Sequence, residues 1–198
     1  MIAIIDYGAG NLFSVKNALD YLNIPNIITD NPQEMKKADK LILPGVGAFP
    51  MAMKKLKEKN LVEVLKEQAK QKPLLGICLG MQLLFEEGFE FGQTQGLGLI
   101  QGKVDTIVTE YKIPHMGYNE LEKNMESPLL AGISEGDWVY FVHSYMVYTA
   151  PENVGAYCEY GGKIPAIVQD NKYVYGAQFH PEKSGDTGIQ ILKNFGQL

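Results

Sequence analysis

Arginine is absent from this sequence: all 18 basic residues are lysines, set against 23 acidic residues for a net charge of -5. A lysine is a point charge without the planar fork that reads guanine or grips phosphate in two bonds, so nucleic acid is not an expected partner. Cysteine is nearly as scarce. Only Cys78 and Cys158 occur, far apart and without a Cys-x-x-Cys spacing, which argues against a disulfide framework or a cysteine zinc site and predicts reduced thiols. No apolar run approaches the ~20 residues of a membrane span. Met1 leads straight into the strand-like MIAIID with no charged export segment, so the expectation is a soluble cytoplasmic protein without membrane contact. The three histidines form no HExxH or comparable cluster, and no metal is expected. A P-loop is missing too. The DYGAGN segment at 6–11 superficially resembles a dinucleotide loop, but Phe13 stands where the third glycine belongs, so no nucleotide cofactor is implied.

What is present is an ordinary globular composition, 45% apolar and 21% charged over 198 residues, enough for one sizeable core and read as a single domain over 1–198. The first two thirds alternate β-branched runs with helical patterns. MIAII (1–5) reads as a buried strand, and Asn11 as the cap of a helix to about Leu22. A strand follows at 26–29, another at KLILP (40–44), then a helix or helix pair from Pro50 to near Gln71. Its lysine-rich stretch 54–60 is interleaved with or followed by glutamates and reads as a solvated face. PLLGI (73–77) is a further buried strand, followed at once by a predicted helix LGMQLLFEEG. This order predicts an α/β fold with an open, mostly parallel sheet and helices on both faces. Later runs, VDTIV, WVYFVHSYMV, AYCEY, AIVQ and KYVYGAQF, are separated by turn signals at Gly161-Gly162 and Asp170-Asn171 and read as antiparallel hairpins added to the sheet. A last helix is predicted from about Gly185 to Phe195.

The sharpest chemical signal is Gly76-Ile77-Cys78-Leu79-Gly80, a cysteine at a strand-to-helix junction with glycine two positions to each side. This is the pattern of a nucleophile elbow with sulfur in place of serine oxygen. The bend strains the backbone at the nucleophile, and only very small residues fit across it. The amide end of the following helix favours thiolate. Such a thiol needs a base. His180 follows a strand directly and precedes Pro181-Glu182; Pro181 biases it toward extended backbone, where residues i and i+2 share a side, so that Glu182 can orient the imidazole. His143 lies in an alternating strand and reads as a core histidine, while His115 sits in the loop IPHMGYN without a neighbouring carboxylate. Acyl transfer also needs donors for the developing oxyanion: the Leu79 N–H is one candidate, and one N–H from Gly45, Val46 and Gly47 in the strand-ending loop LPGVG is another. A plain strand-ending turn is an equal reading of that loop from spacing alone. The acid follows the histidine in sequence, the reverse of the α/β-hydrolase order.

GICLGMQLL around Cys78 and QFHPEKS around His180 and Glu182 resemble the two halves of the triad site in class I glutamine amidotransferases. IIDYGAGN, LPGVGAF, PHMGYN and YFVHSY closely resemble segments of the glutaminase subunits of imidazole glycerol phosphate synthases, and the resemblance spans essentially the whole chain. It implies an open mixed α/β sheet, hydrolysis of glutamine through a thioester on Cys78 without a cofactor, and transfer of ammonia to a (βα)8 cyclase subunit in a heterodimer of histidine biosynthesis. In such a family glutamine is held by the residues matching Gln82 and Glu90 and by the backbone of His143, Ser144 and Tyr145, and the loop matching Gly45 to Gly47 completes the oxyanion hole. Lys183 and the DYGAGN loop with Asn11 match partner-facing positions, as does Tyr118, where family members often carry Trp. The alternatives are a glutaminase serving a synthase of a modified sugar or vitamin, and a catalytically silent regulatory subunit that keeps the fold.

Overall fold

The computed structural model describes residues 1–170 and 172–198; Asn171, the second residue of the Asp170-Asn171 turn signal, lies outside the described residues. In chain order the elements are β1 (Ile2–Ile5), α1 (Leu12–Tyr21), β2 (Asn26–Thr29), α2 (Pro32–Lys37), β3 (Lys40–Gly45), α3 (Phe49–Glu58), α4 (Val62–Gln68), β4 (Leu74–Cys78) and α5 (Leu79–Gln82). Then come β5 (Phe85–Gly88), β6 (Thr94–Gln95), β7 (Ile100–Thr106), β8 (His115–Glu120), β9 (Glu122–Lys123), β10 (Trp138–His143), β11 (Tyr145–Tyr148), β12 (Val154–Glu159), β13 (Lys163–Gln169), β14 (Val174–Ala177) and α6 (Gly185–Gln197). Among the described residues no helix is long and apolar enough to cross a membrane.

The main sheet has eight strands in the order β2-β1-β3-β4-β14-β13-β12-β9. Its first five strands pair in parallel, and β13, β12 and β9 are added antiparallel at one side. The parallel strands read as unbroken apolar runs because both faces are covered: every residue of β1 and β4 is buried. Strand alternation sorts them between two cores. Ile2, Ile4, Ile42, Leu75 and Ile77 pack with Val15 and Leu19 of α1 and with Ile191, Leu192 and Phe195 of α6. Ala3, Ile5, Leu41, Leu43 and Leu74 pack on the other face with Met53 and Leu56 of α3 and Leu65 of α4. The expected helix over 50–71 is a pair, broken at Asn60, whose φ is 56°.

Several local expectations are corrected. The helix after Cys78 is a single turn, not the ten residues of LGMQLLFEEG. The Leu83, Leu84 and Phe85 carbonyls accept from the amides of Leu97, Leu99 and Gly98, and Phe85–Gly88 then joins β7 in parallel. Contacts distant in sequence thus take the acceptors that a longer helix would need. The run WVYFVHSYMV is two strands. His143 ends the pairing of β10 with β8, and Tyr145 starts the pairing of β11 with β7 in a four-stranded sheet of order β11-β7-β5-β6. These hairpin strands therefore form two small sheets of their own. PHMGYN, read as a loop, is mostly β8. The short α2 was not foreseen, although Asn31 caps it by accepting from the Gln33 N–H at 2.9 Å and Pro32 opens it.

The elbow is where packing is tightest. A Cβ on Gly76 would lie 2.6 Å from the Gly80 carbonyl oxygen, one on Gly45 2.5 Å from the Gly80 nitrogen, and one on Gly80 would run into the carbonyl of Leu43. The obstacles are backbone atoms, which cannot swing aside. Gly80→Ala is therefore expected to cost about 3 kcal/mol or more of unfolding free energy, the upper end for overpacking. Urea denaturation measures it; an unchanged midpoint would contradict the packing described.

Candidate active site

Three neighbouring parallel strands deliver the site. The chain leaves β3 at Gly45, β4 at Cys78 and β14 at Ala177 in the same direction, so Val46-Gly47, Cys78-Leu79 and Gln178-Phe179-His180 emerge together beyond the carboxyl ends of the sheet. Cys78 pairs with Gly45 in register and adopts φ 55° and ψ -113°, a sparsely populated conformation for a residue with a side chain. This is the strained backbone expected of an elbow. Cys78 is 7% exposed, whereas Cys158 is fully buried in β12, where burial first and then Glu159 and Glu122 push its thiol pKa upward.

His180 stands beside the elbow, 2% exposed. Its Nδ1 lies 2.8 Å from Glu182 Oε1, so Nδ1 donates to the carboxylate and Nε2 is left as the acceptor for a thiol proton. His180 itself is extended, as expected, but the chain then turns 3-10 over Pro181–Lys183, and Glu182 reaches the imidazole through that turn with the same i to i+2 proximity. The ring is fixed from behind. The His180 N–H donates to the Tyr140 carbonyl at 3.0 Å, Ser184 Oγ donates to the His180 carbonyl at 2.7 Å, and the Tyr140 N–H donates to Ser184 Oγ at 2.9 Å. Burial alone would lower the His180 pKa, but hydrogen bonds and charge from Cys78 and Glu182 outweigh it and raise it to about 9. Asn11 occupies the N-cap position of α1 without capping it; its Nδ2 donates instead to Glu182 Oε1 at 3.4 Å.

A cavity of about 320 Å³ opens in front of Cys78 and His180. Val46, Gly47 and Leu79 line one part, Gln82 and Glu90 another, and Val142, His143, Ser144 and Tyr145 a third. Gly45 and Glu182 do not line it. Gly45 allows the close approach to Gly80, and Glu182 stands behind the imidazole. Glu90 Oε2 accepts from the Phe49 N–H at 2.7 Å at the start of α3, which leaves Oε1 for a ligand. Gln82 Nε2 donates to the Tyr145 carbonyl and to Gln178 Oε1, both at 3.0 Å, so only its Oε1 remains, an acceptor suited to a cationic group. A larger open groove of about 770 Å³ along residues 123–131 holds neither cysteine nor histidine.

Two residues near the sulfur were not singled out from the sequence. Gln178 Nε2 lies 3.9 Å from Cys78 Sγ, and the hydroxyl of Tyr7 is buried without a hydrogen-bond partner among the described residues. Gln178 sits two residues before His180 on the same extended segment, a spacing that could have suggested it. The other histidines form a neutral relay beside the cavity. His143 Nδ1 donates to the Tyr145 carbonyl at 2.8 Å, His115 Nδ1 to His143 Nε2 at 3.1 Å, and Asn119 Nδ2 to His115 Nε2 at 3.3 Å. Tyr118 and Lys183 lie apart from the cavity: Tyr118 is 56% exposed, and its hydroxyl donates to the Lys183 carbonyl at 2.9 Å.

Comparison with known proteins places the chain in a family. The family described as glutamine amidotransferase class-I matches residues 3–197. The imidazole glycerol phosphate synthase subunit HisH of Bacillus cereus (strain B4264) is 54% identical over 196 residues, covering 98% of this chain and 93% of that protein. HisH of Bacillus thuringiensis (strain Al Hakam) shows the same identity and coverage. A solved glutamine amidotransferase superposes with a TM-score of 0.77 at 20% identity, covering 99% of this chain and all of the other, a likeness of fold.

The paired imidazoles give stability a pH dependence. Burial holds His115 down to about 4; in His143 burial, opposed by the Tyr145 carbonyl and aided by His115 and His180, lowers it to about 3. The unfolded chain takes up these protons near pH 6.5 and the native one does not, so their contribution is complete above 6.5 and falls as pH drops through 4 toward 3. Unfolding free energy measured in urea should decline from pH 6.5 to 5, before most carboxylates titrate, with a slope approaching about two protons. A flat profile would contradict buried, neutral imidazoles.

Proposed function

Because the chain belongs to the class I glutamine amidotransferase family, we propose that it is the glutamine-hydrolysing subunit of an imidazole glycerol phosphate synthase, serving histidine biosynthesis through Cys78, His180 and Glu182. The observation that carries this is the strained Cys78 at the mouth of a cavity it shares with His180, whose far nitrogen is held by Glu182 at 2.8 Å. The glutaminase domain occupies residues 1–198.

The geometry supports a two-stage acyl transfer. His180 Nε2 takes the Cys78 proton, and the sulfur attacks the side-chain amide carbon of glutamine. The imidazolium protonates the departing nitrogen, ammonia leaves, and a glutamyl thioester remains on Cys78. Water attacks the thioester as His180 takes its proton, and glutamate leaves as the thiol is restored. The N–H groups of Leu79 and of the Gly45–Gly47 loop, whose Val46 and Gly47 line the cavity, serve the two tetrahedral oxyanions, a contribution of ~3 kcal/mol per donor in comparable sites. Gln82 Oε1 and Glu90 Oε1 suit the ammonium end of glutamine, and the His143-Ser144-Tyr145 segment closes the opposite wall.

The partner is a (βα)8 cyclase subunit, and the ribbon of β8 and β10 is the surface that fits it. Register places Tyr118 opposite Tyr140, with Met116 and Trp138 two residues along on the same face. Met116 is 64% and Trp138 53% exposed, while the opposite face carries buried Val139, Phe141 and the histidine pair. Lys183 stacks over Tyr140, and Asn11 and Lys183 flank Glu182, so this face adjoins the back of the triad. Without arginine or a phosphate loop, this chain leaves the phosphorylated acceptor to the partner.

Growth of a histidine auxotroph lacking this subunit should be restored by the chain and not by Cys78→Ala; failure of the unsubstituted chain would favour another synthase. In the purified complex, Cys78→Ala should abolish product formation from glutamine and leave it intact from ammonium salt at raised pH, where free ammonia replaces the missing supply. If ammonium fails while gel filtration shows both subunits together, the division of labour is wrong.

A further inference from the structure

We infer that Gln178 is a further residue of the reaction, whose side-chain amide donates a hydrogen bond to the sulfur of Cys78 and holds it for attack; this rests on Cys78 being the nucleophile. Gln178 is fully buried and follows β14 directly, with its own N–H bound to the Ala166 carbonyl at 2.9 Å. Nε2 lies 3.9 Å from Cys78 Sγ.

The direction of this contact follows from its neighbours. The Tyr145 carbonyl can only accept, so the Gln82 atom 3.0 Å away must be its NH2 group. That group's second hydrogen meets the Gln178 oxygen at 3.0 Å, and Gln178 is left with its NH2 toward the sulfur. The amide cannot be reversed without setting oxygen against sulfur and NH2 against NH2. The backbone of Tyr145 thus determines the polarity at the nucleophile through two glutamines.

On its other side the sulfur has the Val142 carbonyl at 4.0 Å, an acceptor for the thiol hydrogen. As the thiol loses its proton to His180 that contact loses its meaning, while the Gln178 N–H gains a charged acceptor, the stronger kind of hydrogen bond. Contacts of this kind are long in the resting site and tighten as charge develops. The titratable groups facing the sulfur are His180 and, from the end of β1, Tyr7. Gln178 differs from both in being neutral at every pH.

Gln178→Glu provides the test, because it keeps the side chain's length and its oxygen toward Gln82 and turns an acceptor toward the sulfur. Gln178→Met, which removes the donor without adding charge, is the second variant. Alkylation of Cys78 by iodoacetamide is followed against pH by peptide mapping, with Cys158 as the internal reference and circular dichroism as the check of folding. Both variants should slow alkylation of Cys78 near neutral pH on the order of tenfold and move the profile to higher pH, with Gln178→Glu the more affected. In the complex, kcat for glutamine should fall on the order of ten- to hundredfold with little change in KM. A filler of space would alter melting temperature and leave the alkylation profile in place, so an unmoved profile in either folded variant overturns the inference. If Cys78 of the unsubstituted protein is alkylated no faster than Cys158, the nucleophile assignment itself fails, and the role of Gln178 with it.

Discussion

Everything at the site depends on how closely the end of β4 can be approached. Gly76 and Gly80 face each other across the Cys78 bend, and Gly45 of the neighbouring strand lies against Gly80, so three backbones meet where side chains would collide. At that contact Cys78 takes a positive φ, and its sulfur borders one core while still lining the cavity. It also sets Val46 and Gly47 beside Leu79 along one part of the cavity wall. The stability of the elbow comes from elsewhere: the fully buried β1 and β4, the nearly buried β3 and the helices on both faces anchor the strained residue.

Around this bend the polar groups are arranged with little freedom. The Tyr145 carbonyl accepts from both Gln82 and His143 and so uses both lone pairs. From that one oxygen run two lines of hydrogen bonds, one through Gln82 and Gln178 to the sulfur and one through His143 and His115 to Asn119 on β8. In both lines each donor is assigned by the acceptor it meets, so amide orientation and histidine tautomer follow from the backbone. Burial keeps the two imidazoles of the second line neutral, whereas Cys78 and Glu182 make His180 the more basic imidazole.

The β8–β10 ribbon links two surfaces with opposite demands. Its inner face carries Val139, Phe141 and the histidine pair into the core, and its outer face presents Met116, Tyr118 and Trp138 to solvent. Tyr118 bonds the carbonyl of Lys183, one residue beyond Glu182, and Asn11 bonds Glu182 itself. The outer face of the ribbon is thus tied by a direct hydrogen bond to the turn whose Glu182 orients the imidazole.

From the sequence alone, the parallel α/β core and the strained elbow at Cys78 were legible because each is local. Unbroken apolar runs reveal strands buried on both faces, paired glycines around Cys78 reveal a crowded bend, and His180-Pro181-Glu182 brings imidazole and carboxylate together within three residues. The family resemblance added Gln82, Glu90 and the 143–145 segment, which the cavity brings together, and singled out Asn11, Tyr118 and Lys183, which meet Glu182 and one another outside the cavity. The tertiary structure alone decided that α5 stops after one turn, since the amides that end it come from residues 97–99. It also decided that the 138–147 run changes sheets at Ser144, because an alternating pattern specifies which face is buried and not which strand lies alongside. Gln178 belongs largely to the same class: its spacing before His180 hints at it, but its contact with the Cys78 sulfur exists only because β14 pairs with β4 in this register.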